Sequence, residues 1–326
     1  MQDCSRSTAA DEWYFRKYMP HPNRFNNWHV DVAGTGFTVL DRVYADGDLT
    51  DEALGGSCGN VLLSLAMLQR NVAPVLALGD DREGARLVDE FSQAGALVSY
   101  IHRRSGVRSP VLAQELDTTS GSHSFSFVCP ETDEELPRYH PIGETELAFA
   151  APVLTNCSVF YVDRLSESIL EAMKMADSAG ALIFFEPSDI QESHLFTEAL
   201  SMCSILKYSE ERLGERLAKV RAECVRIVTY GAAGLEVCDA SDTVWCKAFD
   251  APSVLDTCGS GDMVSVGIID WILANQFERT RLKASDLLRG VVAGQRLAAE
   301  NCAYAGARGL FKRRGADHAL KVLRGE

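Results

Sequence analysis

The chain has no Gly-x-x-x-x-Gly-Lys-Ser/Thr segment, and none of its glycine-rich turns shows Gly-x-Gly-x-x-Gly spacing after a strand. The P-loop and the dinucleotide fold are thereby disfavoured as nucleotide sites. Its ten cysteines include no Cys-x-x-Cys pair, and none of its seven histidines stands at metal-ligand spacing from a Cys or Glu. A structural zinc site is not expected. Cys203, Cys224 and Cys238 lie inside apolar runs, the pattern of buried, reduced thiols in a cytoplasmic protein. No stretch approaches the ~20 apolar residues of a membrane span. The amino-terminal residues place acidic and aromatic side chains where a signal peptide needs an apolar core. Basic residues are in deficit: 32 Lys and Arg against 46 Asp and Glu give a net charge of -14. Such a surface repels phosphate backbones and anionic lipid, which argues against nucleic acid and membrane as partners. An anionic ligand would have to be held by local donors, at helix N-termini and glycine-rich loops.

With 326 residues, 46% of them hydrophobic, the chain can bury one large core or two unequal lobes. It contains no internal repeat and no low-complexity linker. Residues 1–27 read as an amino-terminal arm that packs on the body or on a second subunit, and 28–326 as one α/β domain. Strands are predicted over His29–Ala33, Val72–Leu78, Ala96–Ile101, Val159–Val162, Leu182–Phe185, Ser204–Leu206 and Val225–Thr229. Helical spacing runs over Asn60–Gln69, Arg82–Gln93, Ser166–Ala179 and Glu210–Arg221, and the chain from Ser260 on is mostly helical. This alternation predicts a parallel sheet covered by helices on both faces. Val39–Leu49 and Val111–Val128 are strand-like without partner helices; the second reads as a hairpin around the polar turn Asp117–His123. Such strands form either a flap or an edge extension of the main sheet.

The chemistry is expected at Asp256-Thr257-Cys258-Gly259-Ser260-Gly261-Asp262, which opens onto the apolar helical segment Met263–Leu273. Two glycines permit close backbone approach, and first-turn amides beside the positive helix end stabilise negative charge. Asp262 there can accept a proton from an attacking hydroxyl, or it can cap the helix. Three further turns accompany it: Gly55-Gly56-Ser57-Cys58-Gly59-Asn60, Gly79-Asp80-Asp81-Arg82-Glu83-Gly84 and Thr229-Tyr230-Gly231-Ala232-Ala233-Gly234.

In this order the turns resemble the ribokinase-like family of PfkB carbohydrate kinases, over about Trp28 to Gly315. The resemblance implies a three-layer α/β/α fold with a central, mostly parallel sheet and a small β-sheet lid. It implies an ATP- and Mg²⁺-dependent kinase acting on a sugar or nucleoside, with K⁺ beside the backbone of Asp256 and Cys258, and a homodimer through the lid. Asp262 would be the catalytic base, and the amides of Gly259, Ser260 and Gly261 the anion hole. Asp41, Gly56 and Asn60 would bind the acceptor, although Asn60 also suits a helix cap and Asp41 a turn paired with Arg42. Thr229, Gly231 and Gly234 would line the nucleotide phosphates and ribose, and Asn301 and Gly306 the adenine. The chain departs from the family's Asn-x-x-Glu motif, placing Ser209 and Arg212 in those positions. Arg212 could then contact a phosphate, with Glu211 or Glu186 taking the acidic, metal-organising role. A ligand-binding protein with weakened catalysis is the alternative that this departure leaves open.

Overall fold

Each central strand alternates apolar side chains between two faces, and both faces are buried. Val32, Val159, Tyr161, Phe184, Ile205 and Ile227 point into one core. Their neighbours Ala33, Phe160, Val162, Ile183, Phe185, Leu206 and Val228 point into the other. Strands of this kind need helices on both sides. The computed structural model, which describes residues 29–117, 123–190, 192–218, 223–277 and 282–326, supplies them. The arm expected over 1–27 and the tip of the 111–128 hairpin lie outside the described residues.

The first half of the chain runs β1 (Val30–Thr35), β2 (Val39–Ala45), β3 (Asp48–Gly55), α1 (Ser57–Met67), β4 (Val72–Pro74), β5 (Leu76–Gly79), α2 (Arg82–Gln93), β6 (Ile101–Arg104), β7 (Val111–Leu116), β8 (His123–Ser126) and α3 (Glu144–Leu154). Next come β9 (Cys157–Val162), α4 (Glu167–Ser178), β10 (Leu182–Phe185), α5 (Ser193–Met202), β11 (Ile205–Ser209), α6 (Glu210–Leu217), β12 (Val225–Thr229), β13 (Gly234–Cys238) and β14 (Thr243–Lys247). The chain closes with α7 (Ser260–Asn275), α8 (Ala284–Asn301), α9 (Gly309–Arg314) and α10 (Ala316–Arg324). The main sheet has the order β14-β13-β12-β11-β10-β9-β1-β4. It is parallel from β4 to β12 and antiparallel beyond. Helices α1, α2 and α7 to α10 contribute to one core, α3 to α6 to the other.

A separate four-stranded sheet, β3-β2-β7-β8, holds the strands that had no place in the βα rhythm. The hairpin expected over 111–128 is present as antiparallel β7 and β8. The strand expected over Val39–Leu49 instead turns back on itself at Asp46-Gly47, both with positive φ, and pairs with β3. Asp-Gly between strands is a strong hairpin signal. It was masked because β3 is acidic and its first half is exposed.

Two further expectations are corrected. Val72–Leu78 is not one strand: β4 ends at Pro74 on the edge of the main sheet, and β5 pairs with β6 in a two-stranded sheet of its own. A proline ends ladder donation, and its place on an edge strand is the usual one. Ala96–Ile101 is not a strand either. Val98–Tyr100 form a 3₁₀ turn and the strand starts at Ile101. A short apolar run fixes burial here but not backbone shape. The Gly79–Gly84 turn is a structural junction. Asp81 caps α2 by accepting from the Gly84 amide at 2.8 Å, and it also accepts from the Ser109 amide and hydroxyl, each at 2.6 Å.

Candidate active site

The 256–262 loop is shaped by Gly259 and Asp256. Gly259 has φ 74° and is the N-cap of α7; a Cβ there would stand 2.6 Å from Ala307. Asp262 is therefore not the helix cap but lies within the first turn. The buried Asp256 carboxylate accepts from the Cys258 amide and the Gly306 amide, both at 2.8 Å, and from Gln114 Nε2 of β7 at 3.4 Å. The Ser260 amide donates to the Thr257 carbonyl at 3.2 Å, so of the three amides expected to line an anion hole this one is turned into the loop.

Asp262 Oδ2 accepts from Asn60 Nδ2 at 2.7 Å. Asn60 sits a turn inside α1, whose N-cap is Gly56, and so is not a cap. Asn60 Oδ1 in turn accepts from Arg308 Nη1. Burial raises the Asp262 carboxyl above the usual range, helped by the charges of Glu186 and Asp163 and opposed by the Asn60 hydrogen bond and Lys207. Lys207 on β11 and Glu186, just past the end of the neighbouring strand β10, form a buried ion pair, with Lys207 3% exposed. Glu186 Oε2 also accepts from Tyr161 at 3.1 Å and Ser265 at 2.5 Å. The Lys207 amine lies 3.7 Å from where a Cβ on Gly261 would stand, directly beside the loop. Asp163, at the end of β9, accepts from the amides of Phe37 at 2.8 Å and Cys58 at 3.1 Å, and burial pushes it up to about 6.

Asp41 lies inside β2 rather than in a turn, and is only 8% exposed. Arg42 does not pair with it; that guanidinium meets Glu52 at 3.0 Å and Glu83 at 3.3 Å. Gly55 leaves room for the carboxyl, since a Cβ there would stand 1.8 Å from Asp41 Oδ2. Oδ1 is buried without a hydrogen-bond partner. Burial pushes the Asp41 carboxyl up to about 7, with Arg308 opposing and Glu90 adding to the rise. The folded state thus binds this proton more tightly than the unfolded chain. Its contribution to stability is fully present below about pH 4 and is lost as pH rises through about 7. Asp41→Asn, which cannot ionise, is expected to be more stable than the native protein by roughly 2–4 kcal/mol above about pH 8. The gain should shrink steadily towards about pH 4. Urea unfolding of both proteins across this range measures it; a gain independent of pH would contradict the burial argument.

The remaining expected residues lie at the carboxyl ends of β11 and β12 or in the turn after α8. Ser209 and Thr229 are register partners, and Thr229 Oγ1 donates to the Tyr208 carbonyl at 3.4 Å. Gly231 and Gly234 shape the turn into antiparallel β13, with φ 57° and 130°. Glu211 and Arg212 are exposed on the first turn of α6. Asn301 is fully buried and shapes the turn itself: it donates to the Ala307 carbonyl at 3.2 Å and accepts from the Leu310 amide at 3.0 Å. The structure thus joins Asp262, Asn60 and the loop directly, whereas Asp41 is linked to them only by the charge of Arg308 acting on its carboxyl. Reasoning from sequence missed Arg308, Lys207, Asp163 and Glu90. A lysine inside the apolar strand Ile205-Leu206-Lys207-Tyr208 was the one available signal, since a buried lysine needs a partner.

A three-layer sandwich with a small separate sheet and a carboxyl-bearing loop at a buried helix start defines a ribokinase-like α/β fold. The sequence matches the pfkB family carbohydrate kinase over residues 47–312, and the chain belongs to that family. It is 25% identical over 266 residues to a fructokinase of Vibrio alginolyticus, spanning 72% of this chain and 81% of that protein. It is 22% identical to an ATP-dependent ribose-1-phosphate kinase of Halopiger xanaduensis, over 82% of this chain and 90% of the relative. The crystal structure of a fructokinase with bound ATP from Xylella fastidiosa superposes with a TM-score of 0.68 at 21% identity, covering 90% of this chain and 98% of that one.

Proposed function

We propose that this chain transfers the γ-phosphoryl group of ATP to a hydroxyl of a sugar or nucleoside, with Asp262 as the base. The observation that carries the reading is a buried carboxyl of raised proton affinity at the start of α7, hydrogen-bonded to Asn60 and flanked by the Lys207 cation. A base of that affinity is matched to neutral pH. The acceptor oxygen forms a bond to the γ-phosphorus as the bond to the β,γ-bridging oxygen breaks. The electron pair leaves with ADP and the hydroxyl proton passes to Asp262. The amides of Gly259 and Gly261, with Lys207 beside them, offset the charge on the transferred group. Asp41, with its unpartnered Oδ1, accepts a hydrogen bond from the sugar, and Gly56 lets the backbone approach it. The four-stranded sheet is the lid. Thr229, Gly231, Gly234 and Gly306 line the nucleotide, and Ser209 and Arg212 face its phosphates.

Magnesium, when bound with the nucleotide, would screen the phosphate charges. Glu186 does not fit as its direct ligand, because both carboxylate oxygens are already engaged. Glu210 and Glu211 are exposed carboxylates between the Ser209 and Arg212 positions, and Glu211 is the one we assign the acidic role. That replacement of the Asn-x-x-Glu pair favours a second reading, a ligand-binding member with weakened catalysis. An ADP-release assay with D-fructose, D-ribose and inosine separates the two. Acceptor-dependent ADP release with a phosphorylated product is expected. Thermal stabilisation by ATP and an acceptor without product, in Mg²⁺ or Mn²⁺, would replace the first reading by the second.

A further inference from the structure

Asn60 has one amide and two demands on it. Its Nδ2 end donates to Asp262, and its Oδ1 end accepts from Arg308. A primary amide can present either end to a neighbour, and a carboxylate accepts only a donor. A guanidinium can only donate, so whatever it touches must offer oxygen. Arg308 therefore decides which end of Asn60 faces Asp262.

The guanidinium is itself well fastened. It is largely buried, its Nη2 donates to the Leu54 carbonyl of β3, and Glu90 of α2 stands 3.7 Å from it. Glu90 is held in turn by the Leu54 amide at 3.0 Å and Arg86 at 3.7 Å. A chain of contacts thus runs Glu90, Arg308, Asn60, Asp262, across α2, the segment before α9, α1 and α7. Among the described residues, the Arg308 guanidinium hydrogen-bonds Asn60 and Leu54 and not the Asp262 carboxyl.

We propose that Arg308 is a positioning residue for the phosphoryl-transfer centre: it locks the Asn60 amide so that Asp262 receives a donor and stays ionised as a base. This rests on the base role proposed above for Asp262. Without Arg308 the amide can turn its oxygen towards Asp262, an arrangement that only a protonated acid satisfies, and a protonated acid cannot accept the hydroxyl proton. The other charged or titratable groups acting on Asp262 come from separate elements: Glu186 after β10, Asp163 after β9, Lys207 on β11, Tyr161 on β9, Cys58 on α1 and Cys258 in the loop. None of them touches the Asn60 amide in the hydrogen bonds described, so their influence stays when Arg308 is changed.

The test titrates Asp262 directly, by carbon NMR of protein labelled at aspartate carboxyls, with Asp262→Asn identifying the signal. Arg308→Gln is expected to raise the Asp262 midpoint by about one pH unit and, with D-fructose as acceptor, to lower kcat by up to about 10-fold below the native midpoint, through the smaller ionised fraction, with little change in KM. Arg308→Lys keeps the charge and one donor, and should return the midpoint most of the way while kcat recovers only in part. Arg70→Gln removes the remote Arg70–Asp270 pair and controls for stability loss alone; its Asp262 midpoint should not move. An unchanged midpoint in both Arg308 variants overturns the proposal, and the titration decides this whether or not an acceptor is turned over. Native-like turnover in Asp262→Asn would instead sink the base reading.

Discussion

Asp262→Asn is expected to lower turnover by about 10²- to 10⁴-fold, the range associated with loss of a positioned base. The substitution keeps the shape of the side chain and an oxygen that can accept from Asn60, so the 2.7 Å contact and the start of α7 should survive. What is lost is the ability to take a proton. The native carboxyl is raised by burial and by its acidic neighbours, so the native rate should climb with pH as Asp262 ionises, whereas the residual rate of the variant should lack that limb. Stability should move the other way. A carboxyl whose folded-state affinity for protons exceeds that of the unfolded chain withdraws stability as pH rises, so the variant should unfold at higher urea than the native protein at neutral and alkaline pH. An ADP-release assay and urea unfolding on the same preparations measure both. Turnover within a few-fold of native would remove Asp262 from the chemistry.

Lys207→Met should produce the largest stability loss of any single change near the site, about 3–5 kcal/mol. Lys207 is 3% exposed and pairs with Glu186, itself close enough to Asp163 and Asp262 to raise both. Removing the cation leaves three acidic groups around one desolvated space. Such a pair costs much to break and little to replace, so the double variant with Glu186→Gln should recover most of the loss. Phosphoryl transfer should recover less than stability, because the cation beside Gly261 would still be missing. Urea unfolding of the single and double variants checks the first part, and the ADP-release rate the second. A loss below about 1 kcal/mol in the single variant would show that Glu186 is relieved by another group or by water.

The main sheet was legible because its strands are short, apolar on both faces and punctuated by helices with clear ends; Arg82–Gln93 and Leu182–Phe185 lie where periodicity puts them. Legibility failed where burial and backbone shape part company. Pro74 splits an apolar run between two sheets, and Pro152 sits inside α3, where a proline argues against a helix. The antiparallel pair β13–β14 was missed because both strands are short, β13 opens on a glycine and carries Glu236, and β14 has only three apolar residues and no buried one. In the site, the loop 256–262 announced itself through glycine chemistry. Arg308 did not, because nothing local distinguishes a surface arginine from one that reaches across three elements to an amide. Asn301 and Asp256 carry the reverse lesson: chemically suggestive residues whose side chains are taken up in holding turns.

Asp256 also grades the site mechanically. Its two 2.8 Å bonds go to Cys258 and Gly306, while the 3.4 Å bond reaches Gln114 on the small sheet. That sheet is tied to the body at its other end by charged contacts, Leu54 to Arg308 and Arg42 to Glu83. The form of the 256–262 loop thus rests chiefly on bonds that do not involve the small sheet, and a shift of Gln114 would leave both short ones in place.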